Sequence, residues 1–71
     1  MMKYPIVIEK AKGNYSAYSP DIPGCVATGR TPAETMKRMK KAIILHIEGL
    51  REDHLPVPKP STSVGYITVA S

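Results

Sequence analysis

PDIPGCVATGRTP, residues 20–32, sets three prolines and two glycines around the chain's one cysteine and leads directly into an amphipathic run. Pro20 and Pro23 have no backbone N–H to give a ladder, so the chain is expected to leave a sheet around Asp21 and Ile22. Gly24 then permits re-entry, and CVATG, residues 25–29, offers a short strand that opens at Cys25. Thr31-Pro32-Ala33-Glu34 reads as a helix start. The threonine serves as N-cap, proline occupies the first helical position, and Glu34 stands three residues after the cap, the spacing of a capping box.

Upstream of this stretch, Tyr4, Ile6 and Ile8 alternate with Pro5, Val7 and Glu9, the period-2 pattern of a strand expected over Lys3–Lys10. Lys12-Gly13-Asn14 supplies turn chemistry, and NYSAYS resumes the alternation as a second strand. Downstream, Met36, Met39, Ile43, Ile47 and Leu50 form one apolar stripe at helical spacing, flanked by Ile44 and Leu45. Gly49 weakens the last turns and Pro56 stops any helix, which places its end near Asp53 or His54. Pro56, Pro58 and Pro60 predict an extended connector. VGYITVA, residues 64–70, then reads as a fourth strand.

The expected fold class is α+β with order β-β-β-α-β. Three antiparallel strands form a meander, and a right-handed return through the helix lays the fourth strand parallel to the first. One helix covers one sheet face. Val7, Tyr18 and Val26 are expected on the other, apolar enough for a second subunit to bury.

A chain of 71 residues holds one domain, residues 1–71, and folding hides only about 60% of the surface of a chain this short, so self-association is expected. One cysteine forms no internal bridge, which points to a reducing cytoplasm. The N-terminus has no signal-peptide pattern, and the longest apolar run falls far below the roughly 20 residues that span a bilayer. Ten Lys and Arg against six Asp and Glu give a net charge of +4, which biases encounters toward anionic partners without diagnosing nucleic acid.

Catalytic constellations are incomplete. Cys25 with His46 or His54 lacks an orienting third group, and a cysteine opening a short strand is ordinarily a small semi-buried hydrophobe. His46 and His54 stand two helical turns apart, the wrong interval for sharing a metal ion. Glu9, Asp21, Glu34, Glu48, Glu52 and Asp53 are scattered rather than paired, so no metal, cofactor or enzymatic activity is expected. Lys37, Arg38 and Lys41, with Arg30 before the helix, form a basic face. It can meet phosphates or an acidic protein surface, or serve as a solubilising face.

YPIVIEK, the glycine-containing hairpin, YSAYSPDIPGCVATGRTPAETM, the long helix and LPVPKP together resemble the HicB-like antitoxins of bacteria over nearly the whole chain. The motif is most specific at Pro20, Asp21, Pro23, Gly24 and Cys25, followed by Gly29, Thr31 and Glu34. The resemblance implies a truncated, partial RNase H-like fold that agrees with the order read from the residues. It also implies a HicA-like, mRNA-cleaving toxin as partner, and assembly as a homo-dimer or homo-tetramer. Complete family members carry a C-terminal DNA-binding module that represses their operon, and no such module is visible in these 71 residues. An RNase H-like fold also raises a nuclease reading, which needs clustered carboxylates on two metal ions about 4 Å apart. Asp21 and Glu9 are too few for that.

Overall fold

A computed structural model describes residues 2–70. Among these residues it contains β1 (Val7–Ala11), β2 (Asn14–Ser19), β3 (Ile22–Gly29) and α1 (Pro32–Glu52). The strands form one antiparallel sheet in the order β1-β2-β3. Lys12 and Gly13 make the first turn, where Gly13 takes φ +85°, a region open to glycine at little cost. The register pairs Val7 with Tyr18 and Tyr18 with Val26.

The prolines act differently from the sequence expectation. Pro20 and Asp21 are a tight two-residue connection, and β3 already begins at Ile22, which pairs with Ser19. Because Tyr18 pairs with Val26, residues 23–25 form a bulge. A bulge leaves residues outside the ladder, which is how a strand tolerates Pro23 without a lost hydrogen bond. Gly24 sits inside that bulge at φ +81°. Cys25 is therefore the end of a bulge within β3 rather than the start of the strand. β1 is shorter than expected, since residues 2–6 run beside the sheet outside any ladder.

Helix α1 follows its sequence signals closely. Thr31 is the N-cap, with its Oγ1 accepting from the Glu34 amide at 3.0 Å, and Pro32 opens the helix. The reciprocal half of the capping box is replaced: Glu34 turns its carboxylate to Arg38, 2.9 Å away and one turn on. At the far end His54 adopts φ 56°. Its amide donates to the Arg51 carbonyl and that of Leu55 to Leu50, the paired bonds of a Schellman termination.

The core lies between α1 and β2–β3. Ala17, Ile22, Cys25 and Met39 are buried, with Tyr4, Ile6, Ile8, Ala42, Ile43 and Ile47 packed around them. The strand-to-helix corner is held by close contact. A Cβ on Gly29 would lie 2.6 Å from Thr35 Oγ1 and 2.8 Å from its amide nitrogen, so β3 approaches α1 as only glycine allows. Thr35 is itself fully buried, and its hydroxyl donates to the Thr31 carbonyl at 2.7 Å.

The expected fourth strand is not formed among the described residues. Residues 55–70 lie in no helix or strand, and Tyr66, Ile67 and Val69 are 94%, 89% and 75% exposed. Residues 64–70 have strand composition but pair with no strand, and an extended chain without a paired edge has little to offset its ordering entropy. The Cα radius of gyration is accordingly 13.9 Å, against ~11 Å for a compact chain of this length.

Candidate functional site

The signature stretch resolves into separate structural duties. Cys25, 4% exposed, faces the core beside Met39 and Ile22, and burial pushes its thiol pKa upward. A thiol held in that state is a packing group and a poor nucleophile. Gly29 and Thr31 build the helix corner described above.

Asp21 does what no local pattern announces. From the β2–β3 turn its Oδ1 accepts from the hydroxyls of Ser61 (3.0 Å) and Thr62 (2.8 Å), and its Oδ2 from the Thr62 amide (3.3 Å). Removal from water pushes this carboxyl up, but the bonds from Thr62 and Ser61 outweigh that and hold it below its ordinary value of 3.8. A second tether lies upstream, where the Tyr4 hydroxyl donates to the Pro58 carbonyl. The C-terminal arm is thus pinned at residues 58 and 61–62, and residues 63–70 beyond are exposed. A partner forty residues away leaves no short-range signal, so sequence spacing could not reveal it.

The four expected contact residues Arg30, Lys37, Arg38 and Lys41 are all exposed. Arg38 is less available than the others. Its Nη1 donates to the Thr28 carbonyl at 3.0 Å while Nη2 pairs with Glu34, so it staples the helix to β3. Among the described residues, no three His, Cys, Asp or Glu side chains come together to hold a metal ion, and no helix is long and apolar enough to cross a membrane.

Two apolar features stand out: a groove that sequence spacing does not announce, and the arm that reads as a strand yet lies exposed. One is a groove of about 440 Å³ between the N-terminal run and α1, lined by Tyr4, Ile6, Met36, Met39, Ile43 and Ile44 and by Lys37 and Lys40, whose aliphatic stems can cover apolar surface. The period-2 run of Tyr4 and Ile6 set against the helix stripe was its available signal. The other is the exposed arm. On the sheet's open face Val7, Tyr18 and Val26 form the expected cross-strand row, with Val26 66% exposed.

Residues 4–69 match the family described as HicB_like antitoxin of bacterial toxin-antitoxin system. The chain belongs to the HicB-like antitoxin family. Among its relatives, an uncharacterized 14.9 kDa protein from the rep-hol intergenic region of Haemophilus phage HP1 is 46% identical over 66 residues, covering 93% of this chain and 50% of that protein. Antitoxin HicB of Escherichia coli K12 is 34% identical over 61 residues, 84% of this chain and 44% of HicB. This HicB-like chain therefore spans half or less of the length of those two relatives. A solved structure described as a HicA3 and HicB3 toxin-antitoxin complex contains a chain of the same fold. It is 38% identical at a TM-score of 0.71, over 84% of this chain and 70% of that one.

Proposed function

We propose that this HicB-like chain binds and masks a HicA-like, mRNA-cleaving toxin and carries out no catalysis itself. The observation that supports this best is the family match over residues 4–69, joined to the fold shared with a chain of a toxin-antitoxin complex. The buried thiol and scattered carboxylates give no competing reaction a foothold. The protein acts in the cytoplasm, as one domain over residues 1–71, two of which (Met1 and Ser71) lie outside the described residues. It works as a homo-oligomer in which residues 64–70 become the fourth strand of a partial RNase H-like sheet.

The toxin-facing surface we propose is the basic helix face of Arg30, Lys37 and Lys41, with Arg38 fixing its geometry. Co-expression with the product of the adjacent gene tests the reading. A stable complex and relief of growth arrest are expected, whereas neither complex nor relief overturns it. The second reading is nucleic-acid binding through the same exposed cations. It requires RNA or DNA affinity that falls steeply with salt, with a shallower slope in a Lys37→Gln, Lys41→Gln variant.

A further inference from the structure

The sheet ends in two open edges, and they differ. β3 carries Pro23 and a bulge along its edge, devices that blunt an edge against pairing. β1 has no proline from Ile6 to Ala11, among the described residues pairs only with β2, and lies beside the apolar groove under α1. An added strand there finds unpaired backbone on one side and a cavity for alternate side chains beneath it. The same chain carries a loose strand that suits this position. Val64 and Tyr66 project to one face of an extended arm and Ile67 and Val69 to the other, all more than half exposed. Apolar residues on both faces are the pattern of a strand buried from both sides.

The tethers direct the arm away from its own β1. It passes Tyr4 at Pro58 and is fastened by Asp21 at the β2–β3 turn. From that turn the outer side of β1 lies two strand spacings back, ~10 Å against the direction of the chain. A second copy removes the conflict. In a two-fold pair each arm continues outward from its Asp21 clamp onto the neighbour's β1, and the two-fold symmetry gives each arm a β1 edge and each β1 edge an arm.

We infer that residues 63–70 of one chain add as a strand along the β1 edge of a second copy, filling its Tyr4–Met36–Ile43 groove. This rests on the self-association reading above and names its mechanism.

The test replaces Tyr66 with the photo-crosslinker benzoylphenylalanine in the full chain, in a mixture of isotopically light and heavy protein. Light scattering at micromolar concentration is expected to give twice the 7.8 kDa chain mass. Irradiation is expected to give heavy–light peptides joining position 66 to residues 4–8 or 36–44. Ile67→Pro, which removes a ladder donor from an arm outside the core, is expected to halve the mass while leaving helical circular dichroism unchanged. A monomer in the unsubstituted protein overturns self-association and exchange together. A dimer whose crosslinks to the groove stay within one chain, or map elsewhere, or one that survives Ile67→Pro, overturns the exchange alone. Toxin capture, measured separately, reports on the antitoxin reading.

Discussion

The start of α1 and the C-terminal arm carry equally clear sequence signals and end in opposite states. At the helix start Thr31 caps the first turn, Arg38 staples it to β3, and Thr35 and Met39 are buried; residues 64–70 remain exposed. The difference lies in where the partners are. A helix satisfies its backbone within itself and needs only a cap and one face to bury, all within a few residues. A strand's backbone is satisfied only by another strand, so its composition is a conditional instruction that takes effect when an edge is supplied.

That contrast can be broken most severely at the helix corner. Gly29→Val forces a side chain into the Thr35 backbone and is expected to cost about 3 kcal/mol or more, enough in a domain this small to shift or abolish the thermal transition. Thr31→Ala removes the hydroxyl that caps Glu34 N–H and is expected to cost about 1 kcal/mol by denaturant unfolding. His54→Gly relieves a left-handed conformation at the helix end and is expected to add about 0.5 kcal/mol in the same assay. Acid should leave the corner alone and free the arm. Asp21 has a lowered pKa, so its clamp is complete above its ordinary 3.8 and is lost as pH falls through the lower folded value. Limited proteolysis with an acid-active protease should show cleavage within residues 58–70 rising at low pH while the helix persists. Asp21→Asn should show that cleavage at neutral pH with little change in melting temperature.

Legibility followed the same division. The Lys12-Gly13 turn, the Thr31 cap and the helix span could be read because each is decided within four residues. Spacing assigns Glu34 to Thr31, yet Arg38 at i+4 offers it a full charge, and that partner prevails. The expected start of β3 at Cys25 falls three residues after the observed one at Ile22, because proline argues against a strand while a bulge accommodates it. Of the signature residues, Cys25 had its packing role visible in advance. The tie between Asp21 and Thr62 was invisible, because nothing in the sequence says which of six carboxylates meets the returning chain.

The approach of Gly29 to Thr35 also divides the chain by its tolerance of added length. At Lys12-Gly13 the turn faces solvent, and a Cβ on Gly13 meets nothing within 4 Å; an extra residue there lengthens a loop at small entropic cost. Between Gly29 and Thr35 five residues must end a strand, cap a helix and return a threonine against the glycine they left. An inserted residue there rotates every later position of α1 by about 100°, carrying Met39 out of the core and the basic face into it. The same one-residue lengthening is thus a loop variant at the hairpin and a frame error at the corner.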